Sequence, residues 1–422
     1  MSKSSKMEPI SLSQLVRVFG RIGLLSFGGP AAQISLMHRE LVEQRPWLEE
    51  KEFLGALSFC MMLPGPEAMQ LATYTGWKLR GTLGGLIGGL LFVLPGALLI
   101  AVLAGLYVAF GDITLVQTGF VGVQAAVLAV VLQALIRLAG KVLTDRFAWL
   151  AAGFAFIALF TGVLPFPAVI LIAAIAGALL ASPTRSDPAP TITVRPFQTF
   201  VTVAIWGALW MVPIAVLFLI DAGFLLEIAL FFSKLAVVTF GGAYAVLAYM
   251  VQAVVQDHGW LTTAQMMDAL GLAETTPGPL ILVTQFVGHL AGFQAGSVGL
   301  ALAAGLVTLW CTFVPCFLWI FAGAPYVERI LHAPRLTGAL RLISSAVVGV
   351  IANLGLWFGL QVLFRRQVDV MGVALPDIAS VELLNGALAV WGCVLLLALR
   401  LPLVTTLCAT AGTAVLAGII LA

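Results

Sequence analysis

Four short elements of this chain could hold an anion, and they come in two matched pairs. Ser26-Phe27-Gly28-Gly29 and Thr239-Phe240-Gly241-Gly242 each interrupt an apolar, helix-like run, as do Pro64-Gly65-Pro66 and Pro277-Gly278-Pro279. A glycine or proline break starts a new helix. The first turn of that helix carries N–H groups with no intrahelical acceptor, at the positive end of its dipole. Such an end suits an anion, and glycine lets the ligand approach the backbone. Arg21 and Lys234 each stand five residues before the Ser or Thr of a Phe-Gly-Gly element, so a cation recurs at one place. They are the expected counter-charges of a bound anion. Glu67 follows Pro66, and Glu274 lies three residues before Pro277. Beside the breaks, these two are candidates for coupling transport to protons, with helix capping the competing use of Glu67. Gln33, Gln70, Thr275, Thr276 and Thr284 are neutral polar groups near the breaks, more suited to helix–helix hydrogen bonds. Asp268 has Gly55 as its counterpart, so it breaks the symmetry as either a coupling or an interfacial group.

The elements that must position these residues are themselves duplicated. From Phe19 to Pro66, 14 of 48 positions are identical to Phe232–Pro279 at a constant offset of 213, without a gap. Chance would match about a tenth in so Leu-, Ala- and Gly-rich a chain. Tandem halves with broken apolar helices mark secondary transporters that bind substrate at the repeat interface. The halves are residues 1–181 and 225–422. Between them, 182–224 holds a proline-rich linker and one extra apolar segment, Phe197–Ile220. Each half offers four strong spans after its broken front part, the first set beginning at Leu83 and the second at Ser297. If each front part crosses twice, the total is about 13 spans, and the extra one inverts the second half. The expected fold is therefore an all-α polytopic membrane protein of two inverted-topology repeats. Loop charge supports an inside N-terminus: Lys78/Arg80 and Arg137/Lys141/Arg146 fall inside with Arg329/Arg335/Arg341, while Arg365 and Arg366 are exceptions.

Composition excludes the soluble classes. The chain is 61% hydrophobic and 9% charged, with a mean hydropathy of +1.09. A net charge of +2 argues against a nucleic-acid partner. The five cysteines lie in apolar segments without CxxC spacing, and the four histidines are scattered. No nucleotide-binding, metal-binding or hydrolase motif stands out, so neither cofactor nor metal is expected, and the chain is not expected to be an enzyme. The polar start, Met1–Leu12, has no small-residue cleavage site and is expected to be a cytoplasmic tail.

The duplicated Phe-Gly-Gly block (Phe27–Pro30 and Phe240–Ala243), the Trp-Leu pair (Trp47-Leu48 and Trp260-Leu261) and the Pro-Gly-Pro pair resemble the chromate ion transporter family, in its long two-domain form. The second half departs from the first in having Ala243 where Pro30 stands. The resemblance implies a protein of the cytoplasmic (inner) membrane that exports chromate and confers resistance to it, with sulfate as a competitor of like shape and charge. Its partners would be the anion and the bilayer, and a homodimer is compatible. Composition and spacing by themselves say only a small anion. They leave open a sulfate or other anion transporter, a passive channel, an intramembrane enzyme and a scaffold subunit.

The inverted arrangement places the N-terminus inside and the C-terminus outside. A cysteine appended after Ala422 should therefore react with an impermeant thiol reagent in intact cells, and labelling only after lysis would overturn the 13-span topology.

Overall fold

Glycine and proline set where helices begin and end here. A computed structural model describes residues 10–181, 196–240, 243–331, 333–370 and 373–421. The expectations for the N-terminal tail, the linker, Gly241 and Gly242 lie outside the described residues. The first half comprises α1 (Leu12–Leu25), α2 (Gly29–His38), α3 (Glu50–Met62), α4 (Glu67–Phe110), α5 (Thr114–Val142), α6 (Arg146–Phe160) and α7 (Phe166–Leu180). The extra segment is α8 (Pro196–Leu219). The second half comprises α9 (Gly223–Val238), α10 (Ala243–Gln252), α11 (Thr263–Glu274), α12 (Val283–Ala295), α13 (Val298–Gly323), α14 (Val327–Leu331), α15 (Pro334–Leu363), α16 (Leu383–Cys393) and α17 (Leu403–Leu421). A short antiparallel ladder pairs β1 (Gln367–Val370) with β2 (Val373–Pro376) between α15 and α16. Apart from this ladder the described residues form an all-α fold, one of the two ways a chain can span a membrane.

Among the described residues, six helices are long and apolar enough to cross a membrane. The broken front parts are built differently. α1, α2 and α3 have 14, 10 and 13 residues, or roughly 15–21 Å each at 1.5 Å per residue, short of a ~30 Å hydrocarbon core. They are half-helices meeting at the breaks. α4 turns at Arg80–Gly81, where Gly81 takes φ 62° and ψ −156°. Its two arms then run against each other: a Cβ on Gly76 would lie 2.1 Å from the Gly84 carbonyl oxygen, and one on Gly88 would lie 2.4 Å from that of Ala72. In the second half α12 and α13 form the matching hairpin, with Gly292 against Leu300 and Gly288 against Thr308. The Trp-Leu motif also has a duplicated structural role. A π-turn follows α2 and another follows α10, and the Trp47 and Trp260 N–H groups donate to the Leu41 and Val254 carbonyls at 3.0 and 2.9 Å.

The two halves are interwoven rather than set side by side. α5 packs against α16 and α17 of the second half, while α15 packs against α6 and α7 of the first. Small residues allow these approaches: Gly122 faces the Thr410 carbonyl, Gly349 that of Ala152, and Gly177 that of Gly338. Asp145 caps α6 by accepting from the Phe147 and Ala148 N–H groups, and it also pairs with Arg341 of α15. Those amide donors, and then Arg341, hold its carboxyl below the usual range. α8 lies at the periphery, tied by Trp210 Nε1 to Ser233 Oγ at 3.0 Å and by Trp310 Nε1 to its own Leu209 carbonyl at 3.0 Å.

The α4 hairpin has no room for a side chain at its crossing. Gly76→Val should destabilise the protein by about 1–3 kcal/mol, measured as a lower melting temperature in detergent. Gly105→Val, whose position has open space, is the control expected to leave the melting temperature nearly unchanged.

Candidate functional site

The breaks meet through two reciprocal hydrogen bonds. Gly65 N–H donates to the Thr239 carbonyl at 2.8 Å, and Gly278 N–H donates to the Ser26 carbonyl at 2.9 Å. The pairs are related by the same offset of 213. Packing crosses over in the same way. A Cβ on Gly65 would meet Cys316 Sγ of α13 at 2.8 Å, and one on Gly96 of α4 would meet the Pro277 carbonyl at 2.1 Å. Gln33 reinforces one crossing, donating to the Ser26 carbonyl at 3.3 Å and the Gly278 carbonyl at 2.7 Å. Gln70 donates to the Pro64 carbonyl at 2.8 Å. Val246 and Val283 stand at the equivalent positions of the second half, so these amide clasps belong to the first half alone.

Beside this crossing lies a cavity of about 610 Å³. Phe27, Gly28, Gly29 and Pro30 line it, so the start of α2 opens into it. Gly28 and Gly29 take φ 84° and 78°, a region that favours glycine, and a Cβ on Gly29 would meet nothing within 4 Å. Glu67 lines it from the start of α4, and Glu274 from the end of α11. Tyr244 Oη donates to Glu274 Oε1 at 2.6 Å. Gln133, Arg137 and Lys141 line the wall formed by α5, and Lys141 is within electrostatic reach of Glu67. Matched positions of both halves face this one space: Ala31 with Tyr244, and Met61 with Glu274. The cavity thus offers a helix N-terminus and two cations to an anion, beside two carboxylates.

Several residues expected to touch substrate have other places. Arg21 is exposed and lies 3.6 Å from Glu40, which also pairs with Arg45. Lys234 sits 5.4 Å from the centre of the Tyr249 ring. Neither lines the cavity. The Ser26 and Thr239 hydroxyls donate to the Ile22 and Leu235 carbonyls, each at 2.6 Å, and so have no proton left for an anion. Gly65 and Gly278 spend their N–H groups on the crossing. Pro64, Pro66, Pro277 and Pro279 shape it without lining the cavity. Gly241 and Gly242 lie outside the described residues. By the charge rule, Arg137 and Lys141 belong to a cytoplasmic loop. Their spacing from Gln133, at i, i+4 and i+8, was the available signal for one polar face on an apolar helix.

The sequence profile of the chromate transporter family matches residues 13–178 and 226–416, one segment in each half. The chain belongs to this chromate transporter family. It is 34% identical to the chromate transport protein of Pseudomonas aeruginosa over 81% of this chain and 80% of that one. It is 32% identical to a probable chromate transport protein of Synechococcus elongatus over 86% and 88%. For the chromate transport protein of Cupriavidus metallidurans the figures are 30% identity over 89% and 88%. No solved structure gives a significant match. Membership of the chromate transporter family agrees with the expectation of a multi-pass transporter and not an enzyme.

The two kinds of glycine should respond differently. Gly65→Ala puts a methyl on Cys316 and is expected to destabilise the protein by about 1–3 kcal/mol. Gly29→Ala should keep the protein inserted, at a backbone cost of roughly 1–2 kcal/mol, and weaken anion binding. Melting temperatures and chromate binding, both taken on purified variants, separate the two effects.

Proposed function

We propose that the chain exports chromate across the inner membrane as a secondary transporter, and that the 610 Å³ cavity is its binding site. The observation that carries this reading is the convergence of the α2 N-terminus, Arg137 and Lys141 on one space at the repeat interface. A tetrahedral dianion presents four oxygens. Arg137 would engage two of them with its planar guanidinium, Lys141 would supply a second charge, and the Gly29 and Ala31 N–H groups would donate at the helix start. Residue 30 is proline and removes a donor there without disturbing the helix.

Two cations balance the dianion, which makes the loaded site nearly neutral with both carboxylates protonated. With Glu67 and Glu274 ionised, the anion meets like charge. Loading and protonation would therefore favour each other, and this links substrate to the proton gradient. Without a nucleotide-binding motif, the inside-negative membrane potential acting on the dianion would drive export, and a proton carried with the anion would move against its own gradient. Sulfate shares the shape and charge of chromate and would compete. Chromate resistance follows from export.

Purified protein in liposomes should accumulate chromate saturably, with sulfate inhibiting and chloride much less effective. Hydrogen bonds to charged groups contribute roughly 1.5–3 kcal/mol, so Arg137→Ala and Lys141→Ala should each weaken chromate about ten- to a hundredfold. Arg137→Lys should recover part of the loss if charge dominates, and little if paired oxygen contacts do. Arg21→Ala and Lys234→Ala should cost less. Full uptake by the Arg137→Ala, Lys141→Ala double variant would remove the cavity from consideration.

A further inference from the structure

One buried carboxylate has no part in the mechanism so far. Asp268, on α11, is 5% exposed. Its Oδ2 accepts from Tyr107 Oη at 2.8 Å and its Oδ1 from Gln124 Nε2 at 2.8 Å. It sits in a second cavity, of about 540 Å³, near the start of α5, whereas Arg137 and Lys141 lie near the end of that helix. The groups facing Asp268 are Tyr107 of α4 with Asp112 just beyond it, Gln117 and Gln124 of α5, Gln265 of α11 and Gln294 of α12. No Lys, Arg or His is among the described residues lining this cavity. His289 of α12 is engaged elsewhere, by the Ala301 carbonyl at 2.9 Å and Gln285 at 3.2 Å.

A carboxylate this deep, with only neutral donors, is costly to keep ionised, and a proton removes that cost. A metal cation would need several free oxygens in a cage, whereas both Asp268 oxygens are already engaged by donors. Asp112, Gln117 and Gln294 are exposed and line the same cavity, so water can reach it. The same helix carries Glu274 six residues on, about 9 Å along its axis. Each of the two carboxylates is held by a tyrosine hydroxyl, and each lies in a different cavity. Between them, Gly271 is pressed onto α5: a Cβ there would lie 2.2 Å from Val123 Cγ1 and 3.4 Å from Val127 Cγ2.

We propose that Asp268 is a proton-binding residue for the end of the transporter opposite the cations. It and Glu274 are then the two stations of one proton path along α11, closed in this conformation by Gly271 on Val123 and Val127. A proton from water in the substrate cavity binds Glu274 as the anion loads. It passes to a carboxylate oxygen of Asp268 when α11 shifts over α5, and leaves to water in the second cavity. The proposal rests on the coupling role of Glu274 in the reading above.

Two measurements on the full chain in lipid vesicles test it. Infrared pH-difference spectra need no substrate. They should show a titrating carboxylic-acid carbonyl band that is absent in Asp268→Asn and shifted in Tyr107→Phe. In chromate-loaded vesicles, one pH unit coupled through one proton sustains about tenfold accumulation. Asp268→Asn should lower the ratio of pH-driven accumulation to gradient-free exchange by about that factor, and Asp268→Glu should restore part of it. A carbonyl band unaltered by Asp268→Asn, or wild-type accumulation in that variant, would overturn the proposal. So would accumulation driven by sodium and indifferent to pH. If the wild type shows the Asp268 band but moves no chromate, the substrate reading fails while the proton station stands.

Discussion

The reciprocal pair Gly65 N–H to Thr239 carbonyl and Gly278 N–H to Ser26 carbonyl is the contact on which the rest of the molecule depends. A broken helix in a membrane leaves backbone groups that hydrocarbon cannot satisfy. Here each break satisfies the other half's break. The same exchange extends outward: the Pro-Gly-Pro elements pack on the long helices of the opposite half, and α5 and α15 take their partners from across the repeat. Glycine is required where this happens because backbone meets backbone or sulfur with no space for a methyl. The crossing in turn fixes the starts of α2 and α4 beside one cavity.

The repeat is symmetric in its breaks and asymmetric in its chemistry. The first half brings the open glycines, Glu67 and the α5 cations to the cavity. The second brings Tyr244 and Glu274, where the first has Ala31 and Met61. Only the first half supplies amide clasps, Gln33 across the Ser26–Gly278 crossing and Gln70 on Pro64, with valines at the matched positions. Duplication supplies the frame, and divergence at a few matched positions gives the cavity cations and open glycines from one half and a tyrosine-held carboxylate from the other. Asp268, opposite Gly55, is a further departure of this kind.

Much of the frame is legible in the sequence. Glycine, proline and hydropathy mark the breaks and the long helices because backbone geometry and burial act locally. The cations that line the cavity are not legible. Arg21 and Lys234 recur at one register, which suggested function, yet recurrence at one register serves a shared surface position as well: one finds Glu40, the other Tyr249. Arg137 and Lys141 sit near a helix end, where a charge rule built on loops claims them first. Which side a helix presents depends on partners 200 or more residues away, as α5 shows by packing on α16 and α17. No local pattern contains that information. The Pro-Gly-Pro elements show a related limit of local pattern: a free N–H and one taken by Thr239 look identical in sequence.

The crossed contacts also constrain how the protein is made. Gly65 leaves the ribosome 174 residues before Thr239, and Ser26 leaves 252 before Gly278. Until the second half is inserted, the first has a donor and an acceptor stranded at its breaks, and α6 and α7 have no α15 to lie against. The early half therefore enters the bilayer with the contacts that close its breaks still to be made. Closure of the cavity is then a late event of biogenesis, because Tyr244, Glu274 and Ile351 of its lining all belong to the second half.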